Sequence, residues 1–115
     1  MSNFPLTAYS KLADGTDEDL IVAGTVRLKW LYLFNTSASL RYVKLYNKAT
    51  APSEADTPVL RFPIPIGGGG TVALPDGGIP FSLGLGIRIV TGVSDADDTG
   101  PTANDVVANL GYDPG

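Results

Sequence analysis

Short runs of alternating residues, each ended by turn-forming residues, fill the chain from Leu20 onward. In the clearest run, Val26 to Phe34, every second side chain is apolar or aromatic, as one buried face of a β-strand requires. Further runs occur at 40–47, 59–66, 71–74, 79–92 and 106–112. No segment keeps a helical period beyond about one turn. The pattern predicts an all-β fold, a single antiparallel β-sandwich (jelly-roll or immunoglobulin-like) of 6-8 short strands.

Proline and glycine residues indicate where some of these runs lie in the sandwich. The run from Val59 to Ile66 contains Pro63 and Pro65, and because proline cannot donate to a strand ladder, we expect an edge strand there. Glycines alternate at 84 and 86 in a later run, where close approach of a neighbouring backbone or a bulge is expected.

The first nineteen residues have a different character. They hold an acidic cluster and few apolar side chains, so we divide the chain into an N-terminal arm at 1–19 and a β-sandwich domain at 20–115. Phe4, Leu6 and Tyr9 are apolar residues through which such an arm would contact a neighbouring subunit. A frayed terminus is the other interpretation of this segment.

Composition excludes several classes of chemistry. The 115 residues include no Cys and no His, which excludes disulfides, Cys/His zinc sites and Ser-His or Cys-His nucleophiles. The only glutamates, Glu18 and Glu54, lie in polar segments, so the chain is not expected to be an enzyme or to bind a cofactor. A net charge of −4 argues against a nucleic-acid partner. The most apolar stretch, Leu28 to Phe34, is too short to span a membrane, so no membrane partner is expected.

One strand face has the most specific surface pattern. Tyr42, Lys44, Tyr46 and Lys48 alternate with the apolar positions of their run and would form a face that contacts sugars, single-stranded nucleic acid or another protein. Tyrosine and lysine are also ordinary residues of a half-exposed strand, so a purely structural interpretation stays open.

Two further residues join the hypothetical interface. Leu31 and Leu33 lie on the face of their run opposite Trp30 and Tyr32, and this face changes from basic to apolar along the strand. We therefore expect part of it to be covered by another subunit.

The loop Asp95–Gly100 resembles the first half of a calcium-binding loop, with Asp at alternate positions before Thr99 and Gly100. The bidentate Glu at the twelfth position is missing, since Val106 stands there. Asp-rich and Gly-rich loops also arise for reasons of turn geometry. We therefore assign no metal ligands.

Several segments in order resemble small β-sandwich virion proteins of tailed bacteriophages, including cyanophages. The resemblance runs from Arg41–Pro52 through Asp56–Val59 and Phe62–Pro65 to Gly78–Phe81 and Asp105–Tyr112, and covers about residues 20–113. The resemblance rests on the types of residue in these segments and on their order along the chain, and no single motif is diagnostic.

This resemblance implies a structural role without catalysis. Proteins of this kind act as capsid decoration or cement proteins on the outside of the capsid. The implied partners are the major capsid protein and further copies of the chain, in a homo-oligomer such as a trimer. The implied location is the outer surface of the virion, after assembly in the host cytoplasm. The alternative is a tail-fibre or head-fibre module that binds glycans on the host surface.

Overall fold

The computed structural model describes residues 7–15 and 17–114, and these residues form nine β-strands and no helix. The strands are β1 (Thr7–Leu12), β2 (Glu18–Ala23), β3 (Val26–Asn35), β4 (Arg41–Asn47), β5 (Leu60–Ile64), β6 (Gly69–Val72), β7 (Ile79–Phe81), β8 (Gly84–Val90) and β9 (Val106–Pro114). The part of the chain that the structure describes has no helix long and apolar enough to cross a membrane.

The strands form two antiparallel sheets. The five-stranded sheet has the order β1-β9-β3-β6, with β7 also paired to β3, and the four-stranded sheet has the order β2-β8-β4-β5. The predicted all-β sandwich is confirmed. The edge position expected for the Pro-rich run is also confirmed, because β5 is the last strand of its sheet.

The strand order distinguishes the two predicted topologies. Pairing is nested along the chain, since β1 pairs with β9, β2 with β8, and β4 with β5, while β3 pairs with β6 and β7. Consecutive strands β1 and β2 therefore lie in different sheets. This is the order of a jelly roll, which folds a long antiparallel ribbon into two sheets. An immunoglobulin-like fold instead keeps its first two strands in one sheet.

The core lies between the two sheets and is aliphatic. Leu28 and Leu110 of the five-stranded sheet face Val43 and Ile87 of the four-stranded sheet, and none of the four is exposed. Phe81 of β7 is buried in the same cluster. These residues come from alternate positions of their strands, as the period of two predicts.

The expected division at residue 20 is wrong for the described part of the N-terminal segment. Thr7–Leu12 forms β1 against β9, and Glu18–Ala23 forms β2 against β8. Without β1 the strand β9 would be an edge of its sheet, and without β2 the strand β8 would be an edge of the other sheet. The sandwich therefore includes much of the segment expected as an arm, and this is one reason why nine strands replace the expected six to eight.

A β-bulge in β3 reverses the predicted facing of its second half. Leu28 pairs with Tyr112 and Trp30 with Gly111, so Lys29 is an extra residue on β3. Beyond the bulge Leu31 enters the core, whereas Trp30 is exposed. One inserted residue exchanges the two faces of a strand.

Candidate functional site

The predicted interface on β4 is largely an interior surface. Lys44 and Tyr46 are 0% and 1% exposed, while Tyr42 and Lys48 are half-buried. The four side chains do share the outer face of the four-stranded sheet, as the alternation predicted. Two connecting segments cover that face, so the expectation that Lys44 and Tyr46 would contact another protein is wrong.

The covering segments are the loops 48–59 and 91–105. Lys44 Nζ donates a hydrogen bond to the carbonyl oxygen of Ser94 in the second loop. Pro52 of the first loop lies against Gly86 of β8, where a Cβ atom would stand 2.9 Å from Pro52 Cδ. The glycine at position 86 therefore permits the close approach that the sequence suggested, and the neighbour is a loop.

Arg88 connects the second loop to the sheet. Its Nε donates to Glu18 Oε2 at 2.9 Å, and its Nη2 donates to the Asp97 carbonyl at 2.8 Å and to Asp98 Oδ1 at 3.1 Å. Nη1 donates to the hydroxyl of Tyr46 at 3.3 Å and to the Asp95 carbonyl at 3.4 Å. The guanidinium is completely buried and its donors converge on five residues, which fixes the loop over the sheet.

Position 61 supplies a second, exposed link between the same loop and the sheet. Arg61 donates from Nε and Nη2 to the two carboxylate oxygens of Asp95, both at 2.7 Å. The Arg61 guanidinium lowers the pKa of the Asp95 carboxyl. Basic residues predominate in the middle of the chain, at 27–61, and acidic residues predominate at 62–115. The pair of Arg61 with Asp95 joins these two segments within one molecule.

Lys44 has no carboxylate partner within salt-bridge distance among the described residues. Burial and the neighbouring Arg88 charge lower the pKa of its ammonium group. Burial also raises the pKa of Tyr46. Two buried cations side by side are costly, and the carbonyl and carboxylate oxygens of loop 91–105 offset that cost.

The Asp-rich loop does not gather its carboxylates around one point. Asp95 binds Arg61, Asp98 binds Arg88, and Asp97 Oδ1 accepts the backbone N–H of Thr99. Among the described residues, oxygens of Glu18, Glu54 and Asp98 do lie within 4.8 Å of one another. Arg88 is ion-paired with both Glu18 and Asp98, so we assign these groups to the contacts that hold the loop.

The two leucines predicted at an interface belong to the core. Leu31 is 0% exposed and Leu33 is 3% exposed, because the bulge at Lys29 turns both toward the four-stranded sheet. The same rotation turns Trp30, Tyr32 and Phe34 outward. The interface was predicted on the side of β3 that carries Leu31 and Leu33. The side of β3 that faces outward beyond the bulge instead carries Trp30, Tyr32 and Phe34.

The outer face of the five-stranded sheet is a continuous uncharged surface beyond the bulge. Its rows follow from strand register: Phe34 lies beside Val107, Tyr32 beside Asn109, and Trp30 beside Gly111. On β1 the rows end at Leu12, Ser10 and Ala8, and on β6 Thr71 lies beside Tyr32. We call this surface the aromatic face; its members are Ala8, Ser10, Leu12, Trp30, Tyr32, Phe34, Thr71, Val107, Asn109 and Gly111.

Trp30 lies against the backbone of β9. A Cβ atom at Gly111 would stand 2.0 Å from Trp30 Nε1 and 2.7 Å from both Cδ1 and Cε2. The five-membered ring of the indole therefore covers the place where a side chain would stand. This cross-strand packing of an aromatic ring on glycine stabilises a sheet.

Tyr9, predicted at a subunit contact, takes part in a polar cluster between β1 and β2. Its hydroxyl donates to Asp19 Oδ2 at 3.2 Å, and Lys11 Nζ lies 2.9 Å from the same oxygen and 3.3 Å from Asp17 Oδ1. Burial, followed by the charge and hydrogen bond of Asp19, raises the pKa of Tyr9 to about 12. We call Tyr9, Lys11, Asp14, Asp17 and Asp19 the edge cluster.

The opposite edge of the sandwich is apolar and open. β5 and β6 belong to different sheets, and a groove of about 280 Å³ lies between them. Its lining includes Leu33, Phe62, Ile64, Pro65 and Val72, with no charged side chain among the described residues. We call it the apolar groove. The other two predicted interface residues, Phe4 and Leu6, lie outside the described residues.

Comparison with known proteins gives no relative. No family model matches the chain, and neither a curated protein nor a solved structure is significantly similar to it.

Proposed function

We propose that this protein is a non-enzymatic virion structural protein, a capsid decoration or cement protein on the outer surface of a bacteriophage head. It would stabilise the head through contacts with the major capsid protein and with its own copies. The observation that carries the proposal is the aromatic face, an uncharged surface on the five-stranded sheet. Large exposed apolar patches on soluble domains commonly mark protein contacts.

The size of the aromatic face fits a contact that works in many copies. Three rows across four strands cover about 20 Å by 20 Å, or roughly 400 Å². A stable pairwise complex buries about 800 Å² on each partner, so one such face alone gives a weak contact. Many weak contacts repeated on a lattice hold strongly together, which is how a cement protein acts.

Jelly rolls occur among viral capsid and lectin domains, which supports the proposal by analogy. The internal ion pairs add a physical argument. Arg88 and Arg61 hold the longest loop onto the sheet at 2.7–3.1 Å, so the charged groups of the chain stabilise its shape. The aromatic face is left as the uncharged surface for a partner.

The first test is mass spectrometry of purified virions from the phage that encodes the chain, where we expect this protein in many copies per particle. The second test adds purified protein to particles that lack it. We expect Tyr32→Glu, which places a charge in the centre of the aromatic face, to reduce binding at least tenfold. Ala96→Glu, in an exposed loop above the other sheet, is the matched control. Absence from virions, or equal binding by Tyr32→Glu, would contradict the proposal.

A second candidate is a fibre module that binds host glycans. Trp30 lies along the sheet beside Gly111, and Tyr32 lies beside the amide of Asn109, an arrangement in which rings stack on a sugar while the amide hydrogen-bonds to it. This function predicts few copies per particle and a change in Trp30 fluorescence on adding host polysaccharide. Many copies and unchanged fluorescence favour the shell.

A further inference from the structure

The two long edges of the sandwich differ in the residues that lie between the sheets. Between β1 and β2 the edge cluster joins the sheets through Lys11, with Asp17 Oδ1 at 3.3 Å and Asp19 Oδ2 at 2.9 Å. Between β5 and β6 no described hydrogen-bonded strand pair joins the sheets, and the apolar groove remains. Half-buried Phe62 and Val72 line this groove. An apolar segment that entered it would complete the core layer at this edge.

We propose that the segment Phe4–Leu6 of a neighbouring copy of this chain binds in the apolar groove. The segment has the sequence Phe-Pro-Leu, with no charged side chain, and it directly precedes β1. The groove likewise offers apolar side chains such as Ile64 and the backbone of Gly69 and Gly70. The proline at position 5 favours an extended backbone, which suits a segment that lies along a groove.

The Phe4–Leu6 segment of a chain cannot reach the apolar groove of the same chain, so another copy must supply it. Thr7 is level with Tyr112 and Leu28, whereas the groove is level with Leu33. Three strand spacings and about four residues of strand separate the two positions, which is roughly 20 Å. Phe4 stands three residues before Thr7, and three extended residues reach only about 10 Å. In addition, β1 runs toward the groove end of the sheet, so its first residue, Thr7, lies at the opposite end.

The proposed contact is of the head-to-tail kind. Each copy offers its segment near the β1 edge and its groove at the β5–β6 edge, so donor and acceptor are different surfaces. Such contacts produce a ring when the rotation closes and a filament when it does not. A closed ring leaves no groove empty. This inference does not rest on the capsid role, because it concerns the purified chain alone.

The absence of cysteine from the sequence makes a direct crosslinking test possible. Asn3→Cys adds a thiol beside the proposed segment, and Thr71→Cys adds one at an exposed position lining the groove. The two single variants are mixed and oxidised, and we expect a disulfide-linked pair that contains one chain of each kind. Asn3→Cys mixed with Ala96→Cys, at an exposed position that does not line the groove, is the matched control.

A second measurement follows self-association in solution. We expect light scattering after size exclusion to give a multiple of the 12.0 kDa chain mass. The double variant Phe4→Ser/Leu6→Ser should dissociate at least tenfold more readily while keeping its β-sheet circular dichroism. A mass of 12.0 kDa at every concentration, equal crosslinking to position 96, or unchanged association of the double variant would each overturn the proposal.

Discussion

Lys44 on β4 lies directly opposite Arg88 on β8, and both cationic side chains are completely shielded from solvent. The two residues differ in their partners. Arg88 donates to Glu18, Tyr46 and three residues of loop 91–105, whereas Lys44 donates to one carbonyl oxygen, that of Ser94. We therefore expect removal of the Arg88 charge to destabilise the protein, and removal of the Lys44 charge to leave its stability unchanged or increased.

Arg88→Met should strongly destabilise the protein. The substitution leaves the Asp97 carbonyl and the Glu18 carboxylate without their buried donor, and breaking such a network costs about 3 kcal/mol. Urea unfolding at neutral pH measures the change. Arg61→Met is the control, since its ion pair with Asp95 reaches the same loop from an exposed position, where solvent screens the pair, and its loss should cost much less. Equal costs for the two variants would contradict the assigned role of Arg88.

Lys44→Met should leave the free energy of unfolding unchanged or raise it by about 1 kcal/mol at neutral pH, because it removes a buried charge next to Arg88. The pKa of Lys44 is lowered in the fold, so the unfolded chain binds more protons just below pH 10.5. The free energy of unfolding of the wild type therefore increases as pH rises through that window. The difference in stability between Lys44→Met and the wild type should become smaller over the same window. A variant that is less stable at pH 7, or whose advantage grows with pH, would refute this account.

Local patterns predicted the sandwich because alternation and turn residues are properties of neighbouring positions. The edge place of β5 followed from Pro63 and Pro65 for the same reason. The facing of β3 did not, since Trp30 and Leu31 are both apolar and the bulge at Lys29 is fixed by pairing with β9, eighty positions later in the chain. A basic residue between two apolar ones was the only local signal.

The burial of Lys44 and Tyr46 was hidden for a similar reason. Alternation correctly placed both side chains on the outer face of their sheet. Loop 91–105 then covers that face through contacts such as Lys44 with Ser94, which are fifty residues apart in sequence. The opposite charges of the middle and the end of the chain were visible, but composition alone does not state which surface they join.

Alkaline pH should weaken the edge cluster. The pKa of Tyr9 is about 12 in the fold and 10.0 in the unfolded chain, so both states keep the proton below pH 10. Between pH 10 and 12 the unfolded chain loses its proton first, and the stability contributed by this group is lost as pH rises. We expect Tyr9→Phe to lose less stability than wild type over this window. The tyrosinate absorbance of Asp19→Asn should show a lower midpoint for Tyr9, and an unchanged midpoint would contradict the proposed cause.

Calcium should not stabilise the protein. A ligand that binds only the folded state raises the melting temperature, whereas the carboxylates of Asp95 and Asp98 are already paired with arginines. Scanning calorimetry with excess calcium and with EDTA should give melting temperatures equal within about 1 °C, since no differential binding is expected. A rise with calcium that is abolished by Asp98→Asn would instead show that Glu18, Glu54 and Asp98 hold the ion.

Gly111→Ala should disturb the aromatic face at one identified contact. The added Cβ atom would stand 2.0 Å from Trp30 Nε1, so the indole must move away from β9. Overpacking of this kind costs about 1–3 kcal/mol. The chain has a single tryptophan, so its fluorescence reports the movement directly, and Asn109→Ala on the same face of β9 is the control.

A double-mutant cycle separates the clash from any other effect of alanine in β9. In the Trp30→Ala background the ring is absent, and Gly111→Ala should then cost much less than in wild type. The cycle also tests the contact surface, because the indole displaced by Gly111→Ala should weaken particle binding, whereas Ala96→Glu, outside the aromatic face, should leave it unchanged. An equal cost of Gly111→Ala with and without the ring would show that Trp30 does not depend on the glycine.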